Sequence, residues 1–112
     1  MKEVKAYIRC RKAEEVINAL EENGIKGITL IDVMGMGRMA DPSTAKYSVK
    51  CVEKFSQISK LELVCDDKDV HSIVEMIRKH AYTGLKGDGI IFVTPIESAV
   101  KIRNGAVGDK AL

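Results

Sequence analysis

A hydrophobic period that switches from two residues to about 3.6 and back constrains the fold more than any other feature of this chain. Residues 4–9 alternate between apolar and polar side chains, which is typical of a half-buried strand. From Lys12 the apolar residues fall at helical spacing, on Ala13, Val16, Ile17 and Leu20. Gly24 can end this helix in the left-handed conformation, and 25–34 is again rich in strand formers. The first third of the chain therefore predicts a β-α-β unit.

The same order of patterns returns in the second half. Residues 58–65 alternate, and the acidic stretch 66–69 offers an N-cap and negative charge for a second helix. The buried stripe of that helix is expected on Val70, Ile73, Val74, Ile77 and Ala81. A strand over 90–96 follows. Two β-α-β units predict an α+β, ferredoxin-like split βαβ fold, a four-stranded antiparallel sheet with two helices on one face.

The sheet face without helices is expected to be partly apolar, since Thr29, Ile31 and Val64 should lie on it. Such a face is expected to pack on neighbouring subunits. The connection over 35–55 contains glycines and a proline and is longer than most connections in compact domains. A functional loop is the favoured interpretation, and an irregular hairpin is the alternative.

Composition narrows the class of protein. The 112 residues, with 46% hydrophobic content, two prolines and no linker-like stretch, predict a single domain. A net charge of +2 with interleaved signs argues against nucleic-acid binding. No apolar run suits a membrane span or a signal peptide, so a cytoplasmic protein is expected. The three cysteines lack C-x-x-C spacing, and no Cys–His or Ser–His–Asp set is evident, so an enzyme is not expected.

The stretch 83–93, T-G-L-K-G-D-G-I-I-F-V, places three glycines just before a strand. Clustered glycines can turn successive N–H groups toward one point and so hold a phosphate. This spacing is neither a Walker loop nor a dinucleotide fingerprint. Taken alone, the stretch leaves two interpretations open, a phosphate loop and an ordinary turn.

Three further segments accompany the glycine stretch: M-K-E-V-K-A-Y-I-R at the start, D-V-M-G-M-G-R before the long connection, and V-K-I-R-N-G-A-V-G-D-K-A-L at the end. In this order and spacing the four resemble the PII family of nitrogen-regulatory signal-transduction proteins. The resemblance covers essentially the whole chain. It implies a homotrimer that binds an adenine nucleotide (ATP, ADP or AMP) between subunits and docks on a membrane transporter or metabolic enzyme.

In the family's terms, residues 37–55 would be the T-loop, which docks on the target, 82–89 the B-loop and 101–112 the C-loop. The nucleotide-binding residues that the resemblance implies are Thr29, Gly35, Gly37, Arg38, Val64, Gly87, Asp88, Gly89, Ile90, Lys101 and Arg103. Backbone N–H groups of 87–89 would cradle the phosphates. Lys101 and Arg103 would reach the same anion from one face of an extended tail. Thr29 and the backbone near Val64 would fit the adenine.

Four departures from the family pattern affect the expected ligand. Ile90 stands where a lysine or arginine is usual, Lys101 replaces an arginine, and Met39 replaces a glutamine that helps hold Mg²⁺ beside ATP and 2-oxoglutarate. Cys51 replaces a tyrosine that some bacteria uridylylate. These departures argue against tight Mg²⁺-ATP and 2-oxoglutarate binding and favour ADP or AMP. Two alternatives stay open: a sensor of ADP or AMP with bicarbonate or another anion that regulates a non-ammonium transporter, and a slow ATPase.

Overall fold

The computed structural model describes residues 1–35 and 56–112. Four strands form one antiparallel sheet in the order β2-β3-β1-β4: β1 is Lys2–Arg9, β2 Thr29–Gly35, β3 Ser56–Cys65 and β4 Gly89–Pro95. Helix α1 spans Ala13–Glu22 and α2 spans Val70–Ala81. This order confirms the predicted ferredoxin-like fold. Most of the long connection, 36–55, lies outside the described residues.

The core lies between the two helices and the two central strands. The sheet contributes Val4, Ala6, Ile8, Leu61 and Leu63, and the helices contribute Val16, Leu20, Ile73 and Ile77. All of these side chains are buried, as the alternating and helical patterns predict. The outer members of the predicted stripes, among them Ile17 and Val74, pack on the rim of this core.

The end of α1 explains why β2 begins later than the sequence suggests. Gly24 has a φ of +80°, its N–H donates to Glu21 O at 3.0 Å, and Ile25 N–H donates to Leu20 O at 3.0 Å. These two bonds form a Schellman motif, so the predicted glycine cap is confirmed. Gly27 also has a positive φ, of +71°. The chain therefore becomes extended only at Thr29, and the prediction of a strand from residue 25 is wrong at its first four positions.

The predicted acidic cap of α2 is also wrong. A turn of 3-10 helix over Asp67–Asp69 leads into the helix, and neither Asp66 nor Asp69 makes a side-chain capping hydrogen bond. An N-cap side chain reaches its N–H partners from extended backbone. Asp69 instead has helical backbone angles, φ −92° and ψ −12°, so its carboxylate is not directed at the helix end.

Both outer strands and the helix-free face expose apolar side chains. Directly opposed residues share a face, and one such row across the sheet contains Ile31, Lys60, Tyr7 and Ile90. Phe92 lies beside this row with its ring edge-on to Tyr7, 6.3 Å between centroids. Ile31 is 39% exposed and Phe92 47%. The predicted partly apolar face is therefore present, and its burial by another subunit stays a prediction.

A hydrogen bond between His80 and Glu15 joins the two helices and gives the fold a pH dependence. His80 Nδ1 lies 3.0 Å from Glu15 Oε2, and Lys12 Nζ lies 3.6 Å from the other carboxylate oxygen. The hydrogen bond with His80, then the charge of Lys12, lowers the pKa of Glu15 below its ordinary 4.5. A lowered folded-state pKa stabilises the fold above the ordinary value, and this stabilisation is lost as pH falls through the folded pKa.

Glu15→Gln is therefore expected to reduce stability slightly near neutral pH and to have no effect in acid. Denaturant unfolding of the variant and the native chain between about pH 3 and pH 7 measures the difference. Glu14→Gln is the matched control, because Glu14 is exposed and makes no ion pair among the described residues. A difference that stays constant over this range would show that the helix pair does not depend on the Glu15 charge.

Candidate functional site

The glycine-rich loop between α2 and β4 has a defined shape that its glycines permit. Gly84, Gly87 and Gly89 have φ values of +84°, +93° and +112°, in the region that other residues rarely adopt. Gly89 is also required by space, because a Cβ there would lie 1.7 Å from the carbonyl oxygen of Tyr7. The loop therefore approaches β1 as closely as a backbone can.

The Asp88 carboxylate organises this loop from within. Its Oδ2 accepts hydrogen bonds from the N–H groups of Thr83, at 2.9 Å, and Gly84, at 3.0 Å. Its Oδ1 accepts from Arg9 Nε, at 2.9 Å, and from the Thr83 hydroxyl. Burial raises the pKa of Asp88, but the bonds from Thr83, Arg9 and Gly84 outweigh burial and hold that pKa far below its ordinary range. The carboxylate is therefore ionised at any physiological pH.

Arg9, at the end of β1, supports the loop from beneath. Its side chain is only 5% exposed, and besides Asp88 its Nη2 donates to the carbonyl oxygen of Lys86 at 2.6 Å. Arg9 is not among the site residues that the sequence predicts. Only the pairing of Ile8 with Gly89 reveals that Arg9 comes next to the loop, and no pattern in the sequence carries that pairing.

The loop's N–H groups divide into two sets. Those of Thr83 and Gly84 bind Asp88, and that of Leu85 donates to the Thr83 hydroxyl oxygen at 3.2 Å. The N–H groups of Lys86 and Gly87, at the turn, have no acceptor within the ranges 1–35 and 56–112. The predicted cradle over 87–89 remains a prediction, and the geometry points to the Lys86–Gly87 turn as the part of the loop available to an anion. The Lys86 side chain is exposed and brings a cation to that turn.

Five of the predicted site residues fall into two groups that border separate cavities on this chain. Asp88, Gly89 and Ile90 border a cavity of about 260 Å³ beside Tyr7 and Tyr82. Thr29 and Val64 border another, of about 390 Å³, together with Glu3, Lys26, Glu62, Ala111 and Leu112.

The two groups are too far apart to meet within one chain. Thr29 lies level with Phe92 of β4, three strands away across the sheet, through the pairs Thr29–Glu62, Glu62–Lys5 and Lys5–Phe92. Gly89 lies three residues before Phe92 along β4. With strands about 4.8 Å apart and a rise of about 3.3 Å per residue, the separation is about 17 Å. Gly35 is buried at the opposite end of β2 from Thr29. Gly37 and Arg38 lie outside the described residues.

The C-terminal tail does not have the predicted extended form. Lys101 N–H donates to Ala106 O and Gly105 N–H donates to Lys101 O, both at 2.8 Å, so 101–106 form a tight turn. Gly105, with φ +70°, and the Asn104 side chain, which accepts from Ala106 N–H at 3.0 Å, favour this turn. The prediction that Lys101 and Arg103 share one face of an extended tail is therefore wrong. Lys101 is half-buried at the base of the turn, and Arg103 is exposed near its tip.

Within the part of the chain that the structure describes, no three His, Cys, Asp or Glu side chains cluster as a metal site would require. His71 is exposed, and His80 is paired with Glu15. None of the described helices has the length and apolar character needed to cross a membrane. Burial raises the pKa of the Cys65 thiol, whereas Cys10 is exposed. The described residues thus offer three places where a ligand could bind: the glycine loop, the Thr29–Val64 cavity, and a cavity of about 650 Å³ along α2 that includes Met76 and Tyr82 in its lining.

Comparison with known proteins gives a consistent result. Residues 1–106 match the family model for nitrogen regulatory protein P-II. A nitrogen regulatory protein P-II of Azospirillum brasilense is 41% identical over 112 residues, which is the full length of both chains. Nitrogen regulatory protein P-II 2 of Methanothermobacter thermautotrophicus is 41% identical, covering all of this chain and 97% of its own. The crystal structure of Arabidopsis thaliana PII bound to citrate superposes with a TM-score of 0.82 at 33% identity, covering 99% of this chain and 91% of that one.

Proposed function

Because the chain belongs to the nitrogen regulatory protein P-II family, we propose that it is a regulator that binds an adenine nucleotide between subunits of a homotrimer. The nucleotide then controls docking on a membrane transporter or metabolic enzyme through the long loop. The observation that carries the nucleotide part is the glycine loop. Its turn has two backbone N–H groups without an acceptor among the described residues, beside an exposed lysine. Backbone donors plus one cation are what a phosphate group requires.

The separation of the two residue groups supports a site between subunits. Thr29 and Val64 border one cavity, and Asp88 and Gly89 border another about 17 Å away by strand spacing. A ligand that uses both groups therefore requires the glycine loop of one subunit and the Thr29–Val64 cavity of another. The exposed β2 and β4 and the partly apolar sheet face provide the surface for such contacts.

The regulatory part of the proposal concerns residues 37–55, which lie outside the described residues. This segment begins directly after β2 and returns directly into β3. A nucleotide bound between subunits can bias the conformation of this segment only through differential contact with its states. Linkage requires that the nucleotide which favours docking also binds more tightly when the target is present. We place the protein in the cytoplasm, where such a target's inner face and free nucleotides meet.

Titration calorimetry with ATP, ADP and AMP, each with and without Mg²⁺ and 2-oxoglutarate, tests the proposal. ADP and AMP are expected to bind, and 2-oxoglutarate is expected to leave ATP affinity unchanged, because Ile90 and Met39 replace a cation and a Mg²⁺-supporting amide. Lys86→Ala is expected to weaken ADP about three- to fivefold, as an exposed charge pair does. Lys79→Ala, an exposed lysine of α2, is the control. Absence of binding by all three nucleotides would contradict the proposal.

One observation favours a second candidate, a sensor that reads ADP or AMP together with a small anion. Ile90 presents an apolar, 47% exposed side chain beside the glycine loop, so this position offers no charge to a γ-phosphate. A bicarbonate arm in the same titration distinguishes this sensor, because only it predicts that bicarbonate changes the affinity for AMP or ADP. Measurement of phosphate release in the ATP samples tests the slow ATPase directly.

A further inference from the structure

We propose that Arg9 is a positioning residue for the glycine loop, which it holds in the one shape that presents the Lys86 and Gly87 N–H groups to a phosphate. The inference rests on the proposed nucleotide binding and assigns a role to a residue outside the loop itself. Arg9 lies in β1, more than 70 residues away in sequence, as the separation of 77 from Lys86 shows.

The geometry of the guanidinium supports this role. Arg9 Nε binds Asp88 Oδ1 at 2.9 Å, and Arg9 Nη2 binds the carbonyl oxygen of Lys86 at 2.6 Å. The planar fork of arginine thus holds the residue before Gly87 and the residue after it at once. With its two neighbours fixed, the Gly87 peptide has little freedom to rotate. The Lys86 carbonyl is held toward β1, so the Gly87 N–H, which points the opposite way in the same trans peptide, faces away from that strand.

Burial separates positioning from direct binding. Arg9 is 5% exposed, so its guanidinium is not open to a ligand from solvent. Its charge is also balanced by the adjacent Asp88 carboxylate, so the pair adds little net field at the turn. The exposed Lys86 ammonium is the cation that an approaching phosphate would meet. Arg9 therefore acts through the loop and not on the nucleotide.

The Asp88 carboxylate also holds the shape of the loop and does not bind the phosphate. Its carboxylate accepts four hydrogen bonds from Arg9, Thr83 and Gly84. A carboxylate in this state repels phosphate if it faces the ligand, but here it occupies the inner side of the loop. Pre-organisation of this kind strengthens binding because the loop loses little conformational freedom when the ligand arrives. The N–H groups of the turn are then fixed before any phosphate is bound.

The test compares ligands that differ only in their phosphates. Arg9→Met is expected to weaken ADP binding roughly 10- to 100-fold, the effect of losing one or two hydrogen bonds from the turn's N–H groups to the phosphate. The affinity for adenosine is expected to change less than about twofold. Arg9→Lys is expected to fall between, because an ammonium cannot hold both partners with a planar fork. Arg11→Met, an exposed arginine two residues away, is the charge-matched control and should change neither ligand.

A second variant covers the case in which Arg9→Met does not fold. Thr83→Val keeps the Arg9–Asp88 pair and buries no unpaired charge, but it removes the hydroxyl that donates to Asp88 and accepts from Leu85 N–H. It should show the same phosphate-dependent loss. Equal weakening of adenosine and ADP, or no weakening of either in the Arg9 and Thr83 variants, would overturn the inference. Absence of nucleotide binding by the native chain would instead overturn the proposed function.

Discussion

Gly89→Ala is expected to lower the free energy of unfolding by about 3–4 kcal/mol, which combines left-handed backbone strain with overpacking. The φ of Gly89 is +112°, and an added Cβ would lie 1.7 Å from Tyr7 O and 2.8 Å from the carbonyl carbon of the same residue. Both atoms are backbone of β1, so no side chain can move aside. Only a displacement of β4 from β1 relieves the overlap. Denaturant unfolding measures the loss, and hydrogen exchange in β1 localises it.

Gly105→Ala provides the matched control for this substitution. Gly105 has a φ of +70°, and nothing lies within 4 Å of a Cβ built there. Alanine at this position is therefore expected to cost only the backbone strain of a positive φ, about 1–2 kcal/mol. If both variants lose the same stability, the close approach of the glycine loop to β1 is incorrect, and the positions of Asp88 and Arg9 relative to that strand are in question with it.

Leu61→Ala is expected to cost about 3 kcal/mol, because the substitution leaves a cavity at the centre of the core. Leu61 is 0% exposed and lies in β3 between the two helices and the neighbouring strands. Its cross-strand partner in β2 is Leu30, which is 44% exposed. The two leucines are identical in chemistry and adjacent in space, so they differ only in how completely the core covers them. Equilibrium denaturation of both variants gives the comparison.

Leu30→Ala is expected to cost about 1 kcal/mol within the single chain, in proportion to its smaller buried area. Any part of its cost that grows with protein concentration reports burial by another copy of the chain. The comparison therefore also measures whether the β2 edge is covered by a neighbouring subunit. A Leu61 variant no less stable than the Leu30 variant would contradict the placement of Leu61 in the core.

The sheet and the helices could be predicted from the sequence because their apolar patterns are local. The alternation over β1 and β3 and the helical stripes of α1 and α2 follow from which side chains must leave water, and the structure matches them. The errors lie where backbone geometry competes with hydrophobicity. Gly27 delays β2, and the helical backbone at Asp69 turns the expected cap away. Neither backbone conformation changes the order of apolar residues, so neither could be predicted from that order.

The candidate site is only partly predictable for a related reason. The glycine loop is visible in sequence, because glycines in left-handed conformations are needed to build it. Its support is not visible, because Arg9 and Asp88 meet only after β1 and β4 pair. The turn at Lys101 shows the same limit, since a short polar segment can be extended or folded with equal apolar pattern. Long-range hydrogen bonds leave no periodic trace in a single chain.

The depressed pKa of Asp88 determines how the stability of the glycine loop depends on pH. The carboxylate remains charged until the medium is strongly acidic, so the stabilisation it gives the loop is constant over the range of acidity that living cells experience. The Glu15–His80 pair lies between the helices and does not contact the loop. The contribution of Asp88 to phosphate binding at this loop is therefore expected to be the same in mildly acidic and in mildly basic medium.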